Sequence, residues 1–293
     1  MKRKPWTIVV ALLGVAIAVP VLWSVGPKEP SYGGRSLSAW LDEWGQAYND
    51  RTNPATIAIR AIGSNALPIL LSRLSKEEPP EERKLWRVVD KVLPKDLDPM
   101  NREISRAVTA AEAINLLGVE AKPAFPTLTN LFSSGPHCLT AAIGLAGIGH
   151  EGVAVLLEAL TNQDWVHRHS AATALGEARS DLDKVVPALL EVVKIQGRKK
   201  EDYLVRGAAG SALVQLHQEP DLVVPVFSEF LTNPDANMRN FGTSLLAGFG
   251  ADAKAAVPLL LKERTDADLD VRASAERALK EIDPEAAGKI ELK

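Results

Sequence analysis

The sequence predicts an all-α chain: helix pairs stacked in tandem, preceded by one N-terminal transmembrane helix. Three observations predict it. An uncharged run from Trp6 to Val25 follows three basic residues, Lys2, Arg3 and Lys4. A four-position pattern recurs at a period of 33 residues through the C-terminal half. No stretch alternates apolar and polar residues long enough to argue for a sheet. At 293 residues, 46% apolar and 24% charged, the composition is that of a globular chain and excludes a disordered or collagen-like one. The single cysteine, Cys138, excludes an intrachain disulfide and a thiolate-rich metal site.

Residues 1–25 read as a membrane anchor or signal. At a rise of about 1.5 Å per residue the run from Trp6 to Val25 spans roughly 30 Å, the thickness of a bilayer's hydrocarbon core. Trp6 and Trp23 lie near its ends, where amphipathic rings favour the headgroup level. The basic residues ahead of the run keep the N-terminus in the cytoplasm and place the rest of the chain outside it, in the periplasm. Ala16-Ile17-Ala18 also fits a small-x-small cleavage site, and the alternative is a chain secreted after cleavage. Cleavage there would leave Val19-Pro20-Val21-Leu22-Trp23 as an exposed apolar start, which favours the uncleaved single-pass anchor. Without residues 1–25 the balance is 31 basic against 37 acidic residues, because three of the 34 basic residues lie in that segment. Such a chain lacks the basic stripe that phosphate contacts require, so nucleic acid is not an expected partner.

Residues 26–49 are a linker and an N-terminal capping helix. Ser36 or Ser38 can cap a helix in which Leu37, Trp40, Leu41 and Trp44 form an i, i+3, i+4, i+7 stripe. Its two tryptophans are expected to cover the open end of the first repeat, with a ligand site as the alternative.

Residues 50–285 form the repeat array. Aligned on Arg168, Arg206, Arg239 and Arg272, each unit has an aspartate four residues earlier: Asp164, Asp202, Asp235 and Asp268. Three residues later comes a small residue, Ala171, Ala209, Gly242 or Ala275; seven later comes Leu175, Leu213, Leu246 or Leu279. In three units Pro187, Pro225 or Pro258 follows twelve residues after that leucine. Each unit reads as two helices, the aspartate N-capping the first and the proline opening the second. Gly176 and Gly250 can end first helices. Weaker units precede these, with Ile59, Ile114 and Leu145 at the leucine position and Thr52, Ala107 and Cys138 at the arginine position. That makes seven units, the last reduced to its first helix. An insertion, 75–105, carries an acidic loop, a helical face of Leu85, Val88, Val89 and Val92, and Pro94 and Pro99 as terminators. Residues 286–293 are a tail.

This pattern resembles the HEAT-repeat family, most strongly in Asp164-Trp165-Val166-His167-Arg168 with Ala171-Ala172 and Ala174-Leu175-Gly176. The resemblance implies a right-handed α-α superhelix. It also implies an Asp–Arg ladder through Asp164, Arg168, Asp202, Arg206, Asp235, Arg239, Asp268 and Arg272. Tyr32-Gly33-Gly34-Arg35-Ser36-Leu37-Ser38-Ala39-Trp40-Leu41 is similar to a segment preceding HEAT arrays in membrane-anchored bacterial proteins of planctomycete and verrucomicrobial type.

Catalytic and metal signatures are missing. His167 and His169 are two apart on a helix and point to different faces, and no His-Glu-x-x-His, Cys-x-x-Cys or EF-hand loop occurs. His137-Cys138 is adjacent in sequence, which does not place a base on a nucleophile. Gly207-Ala208-Ala209-Gly210-Ser211 falls inside a repeat helix and reads as close packing. No cofactor is expected. The function this predicts is a non-catalytic scaffold that holds another protein on its second helices, through Glu191, Lys194, Glu229, Lys262 and Glu263. The alternative is an enzyme or chromophore-binding protein like the bilin lyases, whose HEAT repeats these units resemble.

Overall fold

The computed structural model describes residues 29–44, 53–75 and 99–288, apart from 196 and 198. The expected anchor (6–25) and the helical face at 85–92 lie outside the described residues. Helices account for nearly all the described chain. The exception is a hairpin of β1 (Ser31–Tyr32) and β2 (Arg35–Ser36), paired antiparallel with Tyr32 opposite Arg35. Gly33 and Gly34 turn it at φ 58° and 79°, the left-handed pair that a two-residue hairpin loop requires. Two-residue strands leave no alternation in the sequence to detect.

Helix α1 (Leu37–Trp44) follows directly, with Ala39 donating to Ser36 Oγ at 3.3 Å, so Ser36 caps the helix and not Ser38. Leu37, Trp40, Leu41 and Trp44 are all buried against the first repeat helices. Trp40 Nε1 donates to Tyr32 O at 3.0 Å, and the Arg35 guanidinium stacks 3.9 Å from its ring.

Seven helix pairs follow among the described residues. The first helices are α2 (Pro54–Ile62), α4 (Pro99–Leu117), α6 (Cys138–Ile148), α8 (Trp165–Leu175), α10 (Lys200–Leu216), α12 (Ala236–Gly248) and α14 (Leu269–Ile282). The second helices are α3 (Leu67–Ser75), α5 (Phe125–Ser133), α7 (His150–Ala159), α9 (Leu182–Lys194), α11 (Pro220–Phe230), α13 (Val257–Glu263) and α15 (Pro284–Gly288). Successive first helices pack on one another, and each second helix also meets the next first helix, so one continuous core runs through the stack. The repeat leucines are its centre: Ile59, Ile114, Leu145, Leu175, Leu213, Leu246 and Leu279 are each at most 1% exposed. Burying one such side chain is worth roughly 1.5–3 kcal/mol, and no isolated pair can bury both of its apolar faces.

Pro54–Ser75 is the one described stretch long and apolar enough to cross a membrane, and half of it is buried inside the stack. Gly63, at φ 61°, breaks it into α2 and α3. The same turn recurs four residues after the core leucine or isoleucine in Gly118, Gly149, His217 and Gly250, all at positive φ. Glycine takes that conformation without a Cβ clash. Gly176 departs from this: it caps α8 in the right-handed region, and Asp181 supplies the left-handed residue of that unit.

Several expected boundaries shift. Pro99 opens α4, where its missing amide costs no helical hydrogen bond, so the insertion ends before it. Pro187 and Pro225 lie inside α9 and α11, because Leu182–Val186 and Pro220–Val224 already form a first turn. In the units of α5 and α13 those residues form 3-10 turns (Gly118–Ala124 and Gly250–Ala256), and Pro258 sits at the helix start as expected, as does Pro126, twelve residues after Ile114. Asp202 is not an N-cap. Arg206 follows Arg168 by 38 residues where the later spacings are 33, and these five extra residues let α10 begin at Lys200; Asp202 accepts from the Lys199 amide at 3.2 Å from inside the first turn.

The spine is tightest where first helices carry glycine. A Cβ at Gly147 of α6 would overlap the backbone of Asn115 in α4. Asn115, buried at that contact, donates to Ile143 O at 3.1 Å and accepts from Arg179 at 3.1 Å, tying three units together. The α10–α12 junction is more open, since Phe241 and Leu245 stand against Gly210.

Candidate interaction surface

The charges that recur in register from unit to unit are held mostly by their own loops. Asp164, Asp235 and Asp268 N-cap α8, α12 and α14, accepting from Val166, Asn237 and Asp270 amides at 2.9–3.0 Å. The hydrogen bond donated by the Val166 amide is the main reason the Asp164 carboxyl lies below its ordinary pKa. Arg168 donates to Asn162 O and Gln163 O at 2.8 and 2.9 Å, and Arg239 to Asn233 O and Pro234 O at 2.9 and 3.1 Å. Arg272 donates in the same way to Asp266 O and Ala267 O.

Across units the charges meet unevenly. Arg168 comes to 4.0 Å from Asp202. Arg239 makes a two-pronged pair at 2.7 and 2.8 Å with Asp266, not with Asp268 two residues on. Hydrogen bonding within this pair raises the Arg239 pKa and lowers that of Asp266. Arg206 is 4% exposed and donates to Ile195 O, Gly197 O and Met238 Sδ, so it reaches carbonyls where an aspartate was expected.

Four of the five expected partner contacts are exposed on second helices: Glu191 and Lys194 on α9, Glu229 on α11 and Lys262 on α13. Lys194 and Glu191 pair with each other at 3.1 Å. Glu263 is a correction. It is 4% exposed, its Oε2 accepts from Thr243 Oγ1 of α12 at 2.5 Å, and its Oε1 is buried without a partner. One position round from Lys262 the helix turns Glu263 into the core, which the charge pattern alone did not reveal.

Burial raises the Glu263 pKa from 4.5 to about 7. The native state thus holds this proton more tightly than the unfolded chain does. The stability it contributes is complete below about pH 4.5 and is lost as pH rises through about 7. Glu263→Gln keeps an acceptor for Thr243 and removes the buried charge. At pH 8 it is expected to stabilise the fold by about 3 kcal/mol, and by nearly nothing at pH 4. Thermal denaturation at the two pH values checks this.

A second register escaped the sequence reading. Six residues after each core leucine or isoleucine from Ile114 onward stands an acid: Glu120, Glu151, Asp181, Glu219, Asp252 and Glu285. They fall at the turn into each second helix, where a carboxylate suits the helix dipole. Lys122 reaches Glu151 at 2.8 Å, His150 reaches Asp181 at 2.5 Å and His217 reaches Asp252 at 2.8 Å, each joining one unit to the next. Lys184 within its own unit is the larger cause of the lowered Asp181 pKa.

On this side an open groove of about 540 Å³ lies between α11 and the segment Asp252–Leu259. Val224, Pro225 and Leu259 form its apolar wall, with Asp221, Glu229 and Asp252 at its margins. Glu229 is the only residue there that the sequence had singled out as a partner contact. The periodic acid at Asp252 was the readable signal for the rest.

The chemically suggestive residues do not assemble. Among the described residues no cluster of three or more His, Cys, Asp or Glu could hold a metal. Cys138 is 2% exposed, and burial pushes its thiol pKa up, away from nucleophilic character. His167 pairs with Asp164 and packs edge-on to Phe132, whereas His169 packs on Trp165.

No protein-family profile matches the chain, and no curated protein does. Several solved structures are similar in part. An engineered protein is 22% identical, with a TM-score of 0.41, over 75% of this chain and 97% of its own. The karyopherin Kap121p, bound to the C-terminus of the phosphatase Cdc14p, is 13% identical with a TM-score of 0.48, over 87% of this chain and 31% of the karyopherin. Human deoxyhypusine hydroxylase is 20% identical with a TM-score of 0.38, over 85% of this chain and 98% of its own. The fold class rests on the repeat geometry of the chain itself.

Proposed function

We propose that the protein is a non-catalytic scaffold of HEAT type, anchored by residues 6–25 in a bacterial cytoplasmic membrane, that holds another protein on the outer side. The observation that carries the binding role is the groove beside α11. It lies on the second helices, where side chains of successive units face solvent instead of the stack. Tandem stacking suits this role, since it presents a long surface without needing a closed core. The basic residues before the uncharged N-terminal run support the topology.

Two measurements test the proposal. A photo-crosslinking residue at Glu229 in the full chain, in intact membranes, is expected to capture one discrete protein; the same residue at Ser244, exposed on the first helix α12, is the control. A protease added outside spheroplasts is expected to digest the repeats. Protection of the repeats would overturn the topology, and identical capture at both positions would overturn the binding face.

A further inference from the structure

We infer that the groove beside α11 binds an extended polypeptide segment carrying two cationic side chains four residues apart, with an apolar side chain midway between them. This rests on the second helices being the binding face, and it names the chemistry of what they hold.

The residues that line the groove include three carboxylates, Asp221, Glu229 and Asp252, and neither Lys nor Arg. The lining of the groove is therefore negative, and the exposed Lys254 is the one cation in the segment that forms its other wall. Asp252 is partnered by His217. The Asp221 and Glu229 side chains, both exposed, have no partner among the described residues.

Spacing sets the register. Asp221 is in the first turn of α11 and Glu229 near its last residue, so eight residues of helix put them about 12 Å apart along the axis. An extended chain advances about 3.3 Å per residue, so positions i and i+4 are about 13 Å apart and point to the same side, as does i+2. Cations at i and i+4 then meet the two carboxylates while the residue at i+2 faces Val224, Pro225 and Leu259. A volume of about 540 Å³ accommodates a leucine-sized side chain with its flanking backbone.

The test uses the full chain in detergent and three fluorescent peptides read by anisotropy: Gly-Lys-Ser-Leu-Ser-Lys-Gly, its counterpart with glutamate for lysine, and one with the lysines three apart. The first is expected to bind most tightly and to weaken as salt is raised. Asp221→Asn with Glu229→Gln is expected to weaken it about three- to tenfold, the range for two exposed ion pairs. Glu281→Gln, on the first helix α14, is expected to leave it unchanged. Equal binding of the glutamate peptide, or no loss in the double variant, would overturn the assignment. Capture of a discrete protein at Glu229 without lysine-peptide selectivity would overturn it too, leaving the scaffold reading intact. Selectivity without capture would do the reverse.

Discussion

Leu213→Asp is expected to unfold the centre of the array, whereas Lys194→Ala changes almost nothing. Leu213 is 1% exposed on α10, inside the core shared by its unit and both neighbours. Removing the leucine costs about 2–5 kcal/mol in lost burial and cavity, and placing a carboxylate there adds several more. Because each unit is stabilised mainly by its neighbours, the loss spreads to the adjoining pairs. Lys194 is exposed and pairs only with Glu191 on its own helix, so its removal is worth at most about 0.5 kcal/mol. Chemical denaturation of the two variants reads the difference directly. Equal midpoints would mean that the leucines do not share one interior.

The second large effect is a pair of identical substitutions with opposite signs. Gly147→Ala puts a methyl group into the backbone of Asn115, and neither backbone has a rotamer to offer. Helices α4 and α6 must separate, at a cost of about 3 kcal/mol or more, and the Asn115 bonds to Ile143 and Arg179 go with them. Gly207→Ala in α10 meets nothing within 4 Å. There the added methyl only restricts the unfolded chain, and about 0.5–1 kcal/mol of stabilisation is expected. Thermal melting of both variants checks the sign as well as the size.

These two glycines show where sequence reading stops. Gly207 was read as a close-packing residue and meets nothing, whereas Gly147, which the sequence reading did not single out, presses on Asn115. Which one touches a neighbour depends on the rotation and separation of adjacent helices, and that is set by side chains from other units. Glu263 is the same lesson with charge. Its neighbour Lys262 is exposed and Glu263 is buried, because one residue is a turn of about 100° on a helix. Arg206 and Asp202 were expected to repeat what Arg239 and Asp235 do. The extra residues ahead of α10 moved the helix start, and Arg206 found carbonyls in place of a carboxylate. The periodic acids from Glu120 to Glu285 were in plain view, yet only the turn geometry shows that they line one edge and that Asp252 borders a groove.

Alone, the amino-acid pattern determined the tandem helices and the leucines at their centre, because those depend on local spacing and on apolar residues leaving water, though it did not determine the short second helix of the last unit. The tertiary structure alone decided which charges pair, which acid is buried and where a groove opens. Those outcomes depend on distances between units, which shift with every insertion and every bulky side chain along the stack.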